Sequence, residues 1–133
     1  MKFFRLFIAM AIVVLSCSSF TTKHKKKQVY AFGVAASFND SVVYFTEIQP
    51  LDSVKLNKYG FLPQRDLYAY QLKNHLEFEL KKPDYTCMIY FSENEGKLKK
   101  EANKVKGKYT KNKSIVLKAV DSKVFRFTKP QEN

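Results

Sequence analysis

The sequence predicts an α+β domain, a two-layer sandwich with two helices on one face of a mixed sheet, in the order β-β-α-β-α-β-β. Three observations carry that expectation. Segments rich in Val, Ile, Phe and Tyr alternate with two stretches in which apolar residues recur every three to four positions. Asn, Asp, Gly and Pro stand at the joints between them. The 133 residues are 45% hydrophobic and 15% aromatic, too apolar for a disordered chain and enough for one core.

Residues 29–38 form the first strand. Tyr30, Phe32 and Val34 share one face, and Val29, Ala31, Gly33 and Ala35 share the other, where small side chains let a neighbouring element approach closely. Asn39-Asp40 marks a turn, and residues 41–48 return as a second strand through Val43 and Phe45 until Pro50 stops it. Residues 51–63 read as a loop, with Asn57 and Gly60 as turn formers. The spacing of Ala69, Leu72, Leu76 and Leu80 predicts a helix over 66–80, with Lys73, Glu77 and Lys81 facing away. Pro83 ends it, and residues 85–91 form a third strand. Ser92-Glu93-Asn94-Glu95 then fits a capping box, in which Ser92 takes an orphan amide and Glu95 reaches back. Leu98, Ala102 and Val105 continue as an apolar stripe, and Gly107 supplies a helix stop. Residues 115–120, a turn at Asp121-Ser122 and residues 124–127 close the domain as a hairpin with one wet face, marked by Lys118 and Arg126. A right-handed crossover through the second helix joins the third and fourth strands.

Ahead of this domain, Met1-Lys2-Phe3-Phe4-Arg5 is a short basic start, residues 6–15 are an unbroken apolar run, and Ser16-Cys17-Ser18-Ser19 is a small-residue stretch. That order is the layout of a cleaved export signal, and the apolar run is too short to span a bilayer as a helix. Val14-Leu15-Ser16-Cys17 resembles a bacterial lipobox. The resemblance implies that Cys17 becomes the first mature residue and carries acyl chains, two or more of which anchor stably. The alternative is ordinary cleavage a little later, beside Ser16 or Ser18, giving a soluble periplasmic or secreted chain. Ser18-Ser19-Phe20 stands where outer-surface lipoproteins carry acidic residues, which favours a periplasm-facing position. The chain thus divides into a signal peptide (1–16), a basic tether (17–28), one α+β domain (29–129) and a short tail (130–133). In the tether, Lys23, Lys25, Lys26 and Lys27 follow the lipid site closely, and each basic residue at an anionic membrane surface adds roughly 1 kcal/mol. His24 among them reads as filler rather than a metal ligand.

The formal net charge is +12, and its densest part lies on the second helix and its exit. Lys97, Lys99, Lys100, Lys104, Lys106 and Lys108, with Lys111 and Lys113 beyond, are offset nearby only by Glu95 and Glu101. Such a face attracts a polyanion, although the ordinary role of surface lysine is solvation. Nucleic acid fits poorly, because its binders pair Arg with exposed aromatics and because export removes the chain from most of it. The sequence contains no GxSxG, no HExxH, no Cys-rich metal spacing and no phosphate-cradling glycine loop, so no catalytic residue, metal site or cofactor is assigned. With Cys17 acylated or removed, Cys87 is alone in a strand-forming run and reads as a small buried hydrophobe rather than a nucleophile. His75 reads as a boundary residue of the first helix without a sequence-evident partner.

Residues 85–120, read as strand, Ser-led helix start, lysine-rich helix and strand, resemble one half of a SPOR-type peptidoglycan-binding domain. Cys87-Met88-Ile89-Tyr90-Phe91-Ser92 stands where that family has a strand running into a short polar helix start. The first half departs from the pattern, since a hairpin precedes the first helix and no second βαβ copy is evident. The whole chain resembles small exported proteins of Bacteroidota, which implies a cell-envelope address and no activity. The expected function is therefore a lipid-anchored, non-catalytic binding module for a protein or an envelope polymer. Its candidate surfaces are the lysine-rich second helix and the aromatic hairpin around Tyr30, Phe32, Tyr44 and Phe45, although at least half of those rings read as core. A free sheet edge that pairs with a partner strand is a further route, though the sequence does not tell which strand lies there. The alternative is a soluble periplasmic polyanion binder using the second helix, and a third reading is a small enzyme using Cys87 or His75.

Overall fold

The computed structural model describes residues 27–131; Cys17, Lys23, His24, Lys25 and Lys26 lie outside the described residues. The elements are β1 (Val29–Ala36), β2 (Val42–Thr46), β3 (Gln49–Leu51), α1 (Arg65–Asn74), β4 (Thr86–Ser92), α2 (Glu95–Thr110) and β5 (Val116–Val120). A wider π-helical turn, His75–Glu79, prolongs α1. The α+β class, the mixed sheet and the general succession of strands and helices agree with the expectation from sequence.

β1 is the hub of the sheet. Along one edge it pairs antiparallel with β4, from Tyr30 opposite Ser92 to Ala36 opposite Thr86. Along the other it pairs antiparallel with β2 near Val34 and with β3 near Val29. β2 in turn carries β5 in parallel, from Val42 opposite Val116 to Thr46 opposite Val120. β4 and β5 therefore run in the same direction as the sheet's outer strands, with β1 and β2 between them and α2 as the link.

Pro50 does not stop the second strand. The strand is interrupted earlier and resumes as β3, where Pro50 stands opposite Tyr30. Proline is tolerated there because β3 has a partner on one side only. Continuing the β2 register puts Thr46 opposite Gly33, whereas Ala31 faces Gln49, so Phe32 alone stands opposite both Glu47 and Ile48. This one-residue surplus is a β-bulge. The Thr46 hydroxyl bridges it, accepting the Gly33 N–H at 2.8 Å and donating to the Glu47 carbonyl at 3.1 Å. The surplus also switches the face on which later side chains emerge, aiming Gln49 and Leu51 at the side of Ala31.

The helices do not share one face. α1 supplies Tyr68 and Leu72, and the turn after it Leu76, to a cluster with Val29, Ala31, Ala35, Tyr44, Leu51 and Ile89. α2 supplies Leu98, Ala102 and Val105 to a separate cluster with Phe32, Val34, Val43 and Phe45. These are the two alternations of β1, so each helix covers an opposite face and the domain has three layers. The physical reason lies in β1 itself: it is apolar on both alternations, and a single helical layer would leave Phe32 and Val34 in water.

Residues 124–127 do not form a strand. Phe125 and Phe127 are buried in the α1-side core while Val124 is exposed, so the alternation is real. The ladder, however, is replaced by side chains. Gln49 Nε2 donates to the Phe125 carbonyl at 3.0 Å, and Gln49 Oε1 accepts the Phe127 N–H at 2.9 Å. One turn further out, Gln71 repeats the pattern on Thr128, donating at 2.7 Å and accepting at 3.0 Å. Each glutamine amide acts as a peptide group, which satisfies the backbone of a segment that has no strand neighbour there.

Two helix boundaries also differ from expectation. Asn94, not Ser92, caps α2, its Oδ1 accepting the Lys97 N–H at 3.0 Å, while Ser92 Oγ accepts the Asn94 N–H at 3.0 Å. Ser92 is still held in the β4 ladder opposite Tyr30 and cannot begin a helix. α2 runs through Gly107 to Thr110, because the stop would require a left-handed backbone that Gly107 does not adopt.

Candidate groove along the free edge of β4

β4 pairs with β1 on one side only. In an antiparallel pair alternate residues exchange both backbone bonds with the partner, so the intervening residues point their N–H and C=O groups outward. No hydrogen bond among the described residues takes up the outward backbone of residues 86–91. The strand Thr86–Ser92 contains no charged residue.

A groove of about 1120 Å³ follows this edge. Its floor is the side-chain rows of β4, with Cys87, Ile89 and Phe91 on the α1 side and Met88, Tyr90 and Ser92 on the α2 side. One wall is the α1 layer, with Phe61, Leu62, Arg65, Asp66 and Ala69; the other is the α2 layer, with Lys97, Leu98 and Glu101. Phe61 and Met88 remain largely open to solvent, at 59% and 41% exposure, so the groove carries accessible apolar surface. The wall formed by α2 continues as a helical stripe of Lys97, Glu101, Lys104 and Lys108, at three- and four-residue spacing.

The site residues expected from sequence are placed as follows. Lys97, Lys99, Lys100, Lys104, Lys106 and Lys108 are all exposed, and Lys97 alone of these lines the groove. Lys99 pairs with Glu95 at 3.5 Å, and the Lys106 ammonium lies 5.5 Å from the centre of the Phe45 ring. Of the tether lysines, Lys27 is described, 3.7 Å from Glu93 at the exit of β4. The aromatic hairpin is not an interaction surface: Phe32, Tyr44 and Phe45 are core and Tyr30 is half-buried. Phe32 stacks on Tyr90, and Phe45 meets Tyr109 edge-on. These rings fill the space that α2 closes.

Cys87 is half-buried on the groove floor, and burial pushes its thiol up to about 11, with Lys73 drawing it partly back. At neutral pH the thiol is therefore protonated and a weak nucleophile. His75 packs its ring 5.1 Å from that of Phe125. Among the described residues no group of His, Cys, Asp and Glu is placed to hold a metal ion. Among the same residues no helix is long and apolar enough to cross a membrane.

Sequence reasoning did not find the groove. A strand without charges gives no sign of being an edge, because edge strands commonly carry lysine to discourage pairing. β5, the opposite outer strand, follows that custom with exposed Lys118; β4 does not. Compared with family models, with curated proteins and with solved structures, the chain matches none.

Proposed function

We propose that this chain is an exported cell-envelope protein, lipid-anchored through Cys17 and facing the periplasm, that serves as a non-catalytic binding module for a protein or an envelope polymer. The N-terminal residue order supports the address. The observation that carries the binding role is the β4 groove: an unpaired strand edge between two helical walls, with solvent-open Phe61 and Met88 inside it. The likeness of residues 85–120 to half a SPOR-type domain supports peptidoglycan as one polymer of this class.

A second reading, a soluble periplasmic polyanion binder, draws on the exposed lysines of α2 and on a smaller cavity of about 450 Å³ lined by Lys27, Lys55 and Lys129. Two measurements test the pair. Intact mass of the mature N-terminus from membrane and soluble fractions gives an acylated start at Cys17 under the first reading; an unmodified downstream start removes the anchor. Binding to a lipopolysaccharide or anionic glycan that collapses between low and moderate salt favours the polyanion reading, since counterion release governs such contacts.

A further inference from the structure

We infer that the β4 groove takes an extended acidic peptide segment, which adds to the sheet as a further strand beside β4. This rests on the binding-module reading above and names its partner. Three observations converge. The outward backbone of residues 86–91 has no partner among the described residues, and strand addition is the general way such groups are satisfied. The groove runs between two walls, and Ala69 keeps the α1 wall thin where an added strand's side chains would stand. The charge asymmetry lies just beyond the lining: Lys97 and Glu101 on the α2 wall offset each other, as Arg65 and Asp66 do on the α1 wall, and Lys104 and Lys108 continue the α2 stripe past the groove with no further acidic residue.

A strand has two faces, and the two walls differ. Alternate side chains of the incoming segment meet apolar Phe61, Leu62 and Ala69 on one side and, on the other, Lys97 and Glu101 of α2, with Lys104 and Lys108 next along the same stripe. The fitting sequence alternates apolar and acidic residues over about the length of β4, seven residues. The flanking helices argue against a second copy, because two copies meeting edge to edge bring like lysine stripes together in an already basic molecule. Main-chain bonds then give affinity, and the lysine wall selects the partner by charge.

The test titrates the mature chain with an acetylated seven-residue peptide alternating Val and Glu, followed by amide chemical shifts and fluorescence anisotropy. The expected result is saturable binding with shifts in alternate residues of β4. N-methylation of alternate peptide amides should weaken it about tenfold or more, since at least two main-chain bonds are lost. Replacing Glu by Lys in the peptide, or Lys97→Glu in the protein, should weaken it by roughly 3–10-fold. Lys97 is exposed, so that variant folds. No binding, or equal binding of the N-methylated peptide, overturns strand addition. Equal binding of the lysine peptide overturns the acidic partner. Concentration-dependent dimers with protected β4 amides assign the edge to a second copy and overturn the proposal. If the peptide fails while the acylated protein still binds purified peptidoglycan, the strand-addition inference falls and the binding-module reading survives.

Discussion

On one face β1 shows Val29, Ala31, Gly33 and Ala35 to α1 and to residues 125–128; on the other it shows Tyr30, Phe32, Val34 and Ala36 to α2. The first face is closed by near contact. A Cβ on Gly33 would come within 2.6 Å of Leu72 Cδ2 and 3.2 Å of Phe127 Cζ, and polar side chains must stitch the segment that completes the layer. The second face is closed by aromatic bulk under a helix whose outer surface is free. The α1 side therefore tolerates the least change in volume, and the exposed charges of α2 can vary with little structural consequence. That division leaves the outer surface of α2 free of demands from the core.

The comparison breaks most readily at Leu72, which is fully buried beneath Gly33. Leu72→Ala should cost about 2–5 kcal/mol, read as a fall in the urea midpoint. A loss below 1 kcal/mol would show that the α1 face is not close-packed. Gln49→Ala comes next, because it strips the backbone of Phe125 and Phe127 of both partners; the expected loss is about 2–3 kcal/mol, with faster proteolysis near residue 125. Gly33→Ala should cost about 1–3 kcal/mol, since Leu72 and the Phe127 ring must both shift.

A pH series sharpens the same contrast. Burial holds the Cys87 thiol protonated in the fold, from an ordinary 9.0 up to about 11, while the unfolded chain releases its proton near 9.0. The folded state then binds more protons above pH 9, so stability is intact below that pH and falls as pH rises toward 11. Cys87→Ala should flatten this fall between pH 9 and 11. Tyr85, raised by burial and by Asp40, and Tyr68 and Tyr90, raised by burial, leave a residual decline that begins near pH 10, so the effect of Cys87→Ala is clearest between pH 9 and 10. An unchanged slope in the variant would place the titration elsewhere. The smallest effect is expected on the α2 side: Lys100→Ala with Lys104→Ala should move the midpoint by no more than about 0.5 kcal/mol.

Much of this division was legible in the residues. The small alternation of β1 announced a close neighbour, and the apolar stripes located both helices, with Leu98, Ala102 and Val105 buried as read. In the first helix Leu72 and Leu76 are buried, but Leu80 is exposed and Tyr68, outside the expected stripe, is core. What escaped was everything decided by pairing at a distance. Whether Phe125 and Phe127 find a strand or a glutamine depends on a bulge near Thr46, and a surplus residue leaves no periodic trace. Ser92 and Asn94 are both competent caps, and only the length of the β4 ladder chooses between them. The candidate groove was hidden for the same reason. Edge and centre are properties of the assembled sheet, and Thr86–Ser92 reads alike in either place.

The glutamine clamp has a bearing on the order of assembly. Gln49 closes on partners 76 and 78 positions downstream, and β1 waits for β4 before its full ladder exists. Contacts this remote in sequence slow the search for the native state, because long loops must close before they are rewarded. The α1-side layer therefore cannot close until residues 125–127 are present, whatever forms before them.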